Sequence, residues 1–154
     1  MNELKPFDDK LAGLLASLSP AGRRKMAAEI AKKLRASQQQ RIKQQKAPDG
    51  TPYAARKRQP VRGEKGRVKR EMFAKLRTAR YLKMKGSSEA AVVEFAGRVQ
   101  RIARIHQEGL LDKPSKYSAP VRYETRKLLG FTNAELQVIE SLILKKILRG
   151  VNIT

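Results

Sequence analysis

Residues 54–69 offer a fold almost nothing to bury. Arg56, Lys57, Arg58, Arg62, Lys65, Arg67 and Lys69 crowd this stretch and Arg70 follows it, with Glu64 the only acid between them. Pro60, Gly63 and Gly66 work against any regular element there. A segment of this kind gains too little apolar burial to offset its chain entropy. Loops of this length are uncommon inside a compact domain unless they are functional or unstructured. The 154 residues therefore read as N-terminal helices over 1–46, a basic loop or arm over 47–69, and a body over 70–149, together the size of a single domain. The arm is expected to be unstructured in the free subunit and to be ordered by a partner.

Ahead of the arm, Leu11, Leu14, Leu15 and Leu18 share one side of a helix predicted over 8–18, with Asp8 and Asp9 at the end where the helix dipole favours acids. Ser19 and Pro20 then restart the chain as N-cap and first helical residue. The second helix is predicted to reach about Lys46, with an apolar stripe of Met26, Ala27, Ile30, Ala31 and Leu34. Its Gln-rich second half, 37–46, has little but Ile42 to bury, so it is expected to project or to need a partner. Pro48-Asp49-Gly50-Thr51-Pro52 is turn chemistry.

Beyond the arm, residues 70–78 are predicted to be helical, with Met72, Phe73 and Leu76 on one face. Residues 79–85 and 90–96 flank Gly86-Ser87-Ser88 as a hairpin. Residues 99–106 have helical spacing up to the terminator Gly109. Residues 110–119 read as an exposed loop, and the alternation over 121–126 as a third strand. Thr132-Asn133-Ala134-Glu135 fits a capping box that opens a last helix, whose apolar face is Leu136, Ile139, Leu142, Ile143 and Ile147. The expected fold class is α+β: a small antiparallel sheet of about three strands packed with helices, a long N-terminal helix and an extended basic loop. Ile30, Leu34, Phe73, Leu76, Val92, Phe95, Ile102, Leu136, Ile139 and Ile143 are expected to form one core.

The absence of cysteine removes disulfides and thiolate chemistry. A single histidine, His106, leaves no cluster of nitrogen ligands for a metal, and beside Ile102 and Ile105 it reads as a packed or boundary residue. There is no nucleophile elbow and no phosphate-binding glycine loop. No catalytic, metal or cofactor residue is assigned, and the chain is expected not to be an enzyme. It has no run of about 20 apolar residues to span a bilayer and opens without a signal-peptide pattern, so no membrane partner is expected and the cytoplasm where it is made is its expected place.

The charge is +21, from 35 Lys and Arg against 14 Asp and Glu. A field of that sign draws nucleic acid or acidic protein surfaces. The eight arm cations are the candidate contact residues, with Tyr53 nearby as a stacking group. Only one aromatic accompanies them and no reading helix is spelled out, so an arm that pairs with acidic neighbours ranks ahead of one that binds phosphates.

Longer words point the same way. The opening Met1-Asn2-Glu3-Leu4-Lys5-Pro6-Phe7, the run from Leu14 to Arg24, Pro48-Asp49-Gly50-Thr51-Pro52-Tyr53, the run from Lys69 to Leu82, Gly97-Arg98-Val99-Gln100-Arg101-Ile102-Ala103-Arg104 and Leu128-Leu129-Gly130-Phe131-Thr132 resemble the tail-completion (virion morphogenesis) family of temperate contractile-tailed coliphages. The likeness covers most of the chain, weakening at 110–119 and after Asn133. It implies a structural protein of the virion tail or neck that finishes the tail so that it can join a head. It also implies a ring of identical copies, commonly six, and contacts with the tail tube or terminator and head-neck proteins. The alternative is a nucleic-acid-binding protein that contacts phage DNA or RNA through residues 54–70.

Overall fold

The computed structural model describes residues 18–56 and 71–150 together with positions 5, 6 and 9, with side chains described through residue 148. The helix expected over 8–18 lies outside the described residues, apart from Asp9 and Leu18. In chain order the elements are α1 (Pro20–Lys43), β1 (Leu82–Gly86), β2 (Ala91–Phe95), α2 (Gln100–Glu108), β3 (Leu111–Asp112), β4 (Val121–Arg122) and α3 (Asn133–Gly150). The α+β class stands. In place of one sheet of three strands there are, among the described residues, two sheets of two, β1–β2 and β3–β4, the latter antiparallel with Leu111 opposite Arg122. The chain groups into two compact units, one holding residues 1–37, 84–94 and 131–154, the other 38–83 and 95–130.

The first unit is built on apolar helix packing. Met26, Ile30 and Leu34 recur every fourth residue along α1 and meet Ile139, Leu142 and Ile143 of α3, with Leu18, Ala91, Val93 and Ile147 packed around them. Full burial of a side chain such as Ile143, 1% exposed, contributes about 1.5–3 kcal/mol. The capping box forms as read. The Glu135 amide donates to Thr132 Oγ1 at 3.1 Å and the Thr132 amide to Glu135 Oε2 at 3.2 Å. Ser37 Oγ donates to the other oxygen of Glu135 at 2.8 Å, tying the cap to α1. Lys146 Nζ reaches Glu29 Oε1 at 2.8 Å, joining the same two helices. Gly86 ends β1 against α1, where a Cβ would collide with the backbone of Ala27 and Ala28.

The second unit departs further from expectation. The Gln-rich end of α1 does not project: Gln38, Arg41 and Ile42 are 3%, 7% and 0% exposed. Gln38 and Arg41 each meet backbone groups, which makes burial of such side chains tolerable. Gln38 Oε1 accepts from the Gly130 amide at 3.1 Å and from Arg41, while Arg41 Nη2 lies 3.4 Å from the Gly130 carbonyl. Residues 71–78 are successive turns rather than a helix. Phe73 sits at φ 66°, outside the right-handed region a helix requires. The single core also divides. Ile30, Leu34, Ile139 and Ile143 share the first unit's cluster, Phe95 is buried in the second, and Ile102 is 47% exposed. The predicted third strand shortens to β4, and its partner β3 falls within the stretch read as a loop. Gly109 closes α2 in the left-handed conformation, at φ 66°.

Candidate functional site

Three polar side chains organise the second unit, two of them at the two ends of the basic arm. Gln45 follows α1 in the left-handed region, at φ 60°. Its side-chain amide donates to the Met72 carbonyl at 2.9 Å and accepts from the Met72 amide at 3.2 Å, imitating a strand partner. That pair holds the chain where it leaves the arm. Arg126 holds the chain where it enters: Nε donates to the Ala54 carbonyl at 2.8 Å and Nη2 to the Ala55 carbonyl at 3.2 Å. Arg126 is 7% exposed and turned inward, which ends the alternation read as a strand. Gln107, on α2, accepts from the Leu128 and Leu129 amides at 2.7 and 3.0 Å and donates to the Leu129 carbonyl at 2.9 Å.

A file of rings lies beside these clamps. Tyr53 meets Phe73 edge to face at 5.6 Å between centroids, Phe73 meets His106 at 4.8 Å, and His106 meets Tyr123 at 5.2 Å. Such pairs add about 0.5–1.5 kcal/mol each beyond their area. The contact helps hold Phe73 in a conformation that costs a non-glycine residue about 1–3 kcal/mol. Tyr53 is buried and donates its hydroxyl to the Lys127 carbonyl at 2.8 Å. It is therefore unavailable for stacking on bases, contrary to the expectation from sequence, and burial pushes its pKa up to about 12. Burial also holds His106 below the usual imidazole range, with the Arg126 charge adding to the effect. His106 Nδ1 is buried with no hydrogen-bond partner among the described residues. The histidine is a packed boundary residue, as read.

Phe73, His106 and Tyr123 line a cleft of about 710 Å3, together with Ala54, Ala55, Met72, Leu76, Ile102 and Val121. Arg56, Lys75, Arg122 and Arg126 bring four cations to it, and Glu71 and Glu124 two acids. Glu71 already lies 3.5 Å from Arg77. Arg126 spends its donors on neutral carbonyls, which leave its charge in place. Burial lowers its pKa, Glu124 opposes that and Arg56 adds to it. Of the eight arm cations, Arg56 is exposed on this cleft; Lys57, Arg58, Arg62, Lys65, Arg67, Lys69 and Arg70 lie outside the described residues. The sequence did not single out Gln45, Gln107 and Arg126, because a polar residue that bonds to backbone leaves no periodic signal.

Among the described residues no three His, Asp or Glu side chains stand together as a metal site, and no helix is long and apolar enough to cross a membrane. Residues 2–148 match the family described as the phage virion morphogenesis family. Tail completion protein S of Escherichia phage P2 is 54% identical over 145 residues, 94% of this chain and 97% of that protein. No solved structure matches the chain.

Proposed function

The chain belongs to the phage virion morphogenesis family, and we propose that it completes the phage tail at its head-proximal end, as a ring of identical copies that lets the tail join a head. The relative's role in tail completion supports the first part. The observation that carries the second is the clamped root of the arm: Arg126 and Gln45 hold both ends of the basic segment beside an apolar cleft with a cationic rim. A phosphate-tracking arm needs charge and free aromatic faces. Here the nearest tyrosine is buried, and an apolar cleft suits a protein side chain. The arm cations, Arg56 foremost, then set register against acidic neighbours in the tail and neck. The role is structural rather than catalytic.

In a ring the interface is heterologous, each copy presenting two different surfaces. A six-membered ring in contact with the tail tube or terminator is the expected assembly. The test is a phage lacking this gene, examined by electron microscopy and complemented in trans, with a reconstruction of the complemented neck. Unjoined tails in the mutant and a ring of this chain at the tail's head-proximal end are expected. Normal virions from the mutant would refute the role, and density for isolated monomers would refute the ring.

A further inference from the structure

Residues 1–9 contain Glu3, Asp8 and Asp9 against Lys5, three acids to one base in a chain whose total is +21. Within them Phe7 stands directly beside Asp8 and Asp9. The other phenylalanines differ. Phe95 is buried, Phe73 belongs to the ring file, and Phe131 lies between Gly130 and Thr132. Asp9 meets Lys5 at 3.8 Å, where both side chains are over two thirds exposed (73% for Lys5 and 71% for Asp9). Pairs of that kind are worth little and give way to a better partner.

The cleft of the second unit has the matching chemistry. Its volume of about 710 Å3 falls in the range of about 300–1,000 Å3 in which small groups are bound. The walls are apolar and the surplus charge is positive. We propose that the cleft receives residues 6–9 of a second copy, with Phe7 seated against Phe73, Ile102 and Tyr123, and Asp8 and Asp9 meeting Arg56, Lys75 and Arg122. This inference rests on the ring put forward above and names the contact that closes it. A single aromatic anchor in a pocket with charges at its rim is a common interface hot spot. Because each copy carries one segment and one cleft, the contact is head to tail and propagates until the ring closes. It also places an acidic stretch of one copy on a cationic site of the next, which relieves like-charge repulsion between copies so basic.

The test uses full-length chains and a fluorescein-labelled peptide of residues 1–11. The Phe7→Glu chain keeps its cleft but loses its own anchor, so it is expected to bind the peptide saturably in fluorescence anisotropy. Phe7→Ala in the peptide, or Ile102→Glu or Arg122→Glu in the chain, should each weaken binding at least about ten-fold. Ile102 and Arg122 are exposed, so both chains are expected to fold. Mixing Phe7→Glu chains with Ile102→Glu chains restores one intact contact per pair, so sedimentation should show dimers where each variant alone is monomeric. Equal binding by the Ile102→Glu chain, no dimer on mixing, or displacement of the peptide by a short DNA strand would each overturn the proposal. A wild-type ring with no cleft-dependent peptide binding would sink this contact and leave the ring standing. A monomeric wild type with cleft-dependent binding would sink the ring and keep the contact.

Discussion

Helix α1 contributes residues to both units of this chain, and each unit is held together internally by its own chemistry. Up to Leu34 the helix offers Met26 and Ile30 to the apolar face of α3, and stability there follows from area removed from water. From Gln38 onward the same helix, with Gln45 just past its end, offers amides and a guanidinium to backbone groups of Met72, Arg77, Leu128 and Gly130. Apolar packing is non-directional and tolerates substitutions that conserve volume. A side chain that clamps two backbone groups is directional and fixes where a loop begins and ends. The second unit uses that directionality at Ala54, Ala55 and Met72, the described residues that flank the basic arm.

The contrast breaks first in the apolar unit. Ile143→Ala should lower stability by about 2–5 kcal/mol, while Leu144→Ala next to it, 41% exposed, should stay within about 0.5 kcal/mol of the parent. Denaturant unfolding of the two variants checks this, and equal midpoints would mean that α3 packs through another face.

A smaller and more local loss is expected in the polar unit. Gln107→Ala leaves two amides and a carbonyl of residues 128 and 129 without their partner, at about 1–3 kcal/mol in all if water replaces part of the bonding. Hydrogen exchange should show deprotection confined to residues 126–130, with the amides around Ile30 and Ile139 unchanged. Deprotection spread evenly over both units would erase the distinction between them.

The smallest effect is a pH dependence at His106. Its folded pKa lies below the ordinary 6.5, so the unfolded chain takes up a proton that the folded chain declines. Stability should therefore fall as pH drops below 6.5, level off once the folded ring is charged, and be unaffected above that range. His106→Asn should flatten that part of the profile in denaturant titrations. A slope that survives the substitution would point to another group.

Most of the apolar unit was legible in the sequence, because its determinants are periodic or local. The stripe from Met26 to Leu34, the Thr132–Glu135 box and the face of the last helix each carry a known spacing, and the turn at Gly86 marked the hairpin. The polar unit was mostly illegible. Gln38, Arg41 and Gln45 look like a solvated surface until the carbonyls they meet, far along the chain, are known. Phe73 has a helical spacing with Met72 and Leu76, yet Gln45 holds Met72, and the rings of Tyr53 and His106 hold Phe73, in a run of turns. Arg126 alternates like a strand residue and is drawn inward by two carbonyls. The candidate site was half legible: charge marked the arm and Arg56, but nothing local marked the cleft beside it.

On the function proposed above, the arm and its root form a protein interface and not a phosphate track. The measurement is the Arg56→Ala, Lys57→Ala, Arg58→Ala chain supplied in trans to a phage lacking the gene, with DNA binding by the same purified chain followed against salt. Tails that are not completed or joined are expected, with weak DNA affinity only modestly reduced. Normal infectious particles, together with a salt slope flattened by about one logarithmic unit per lost phosphate contact, would contradict it.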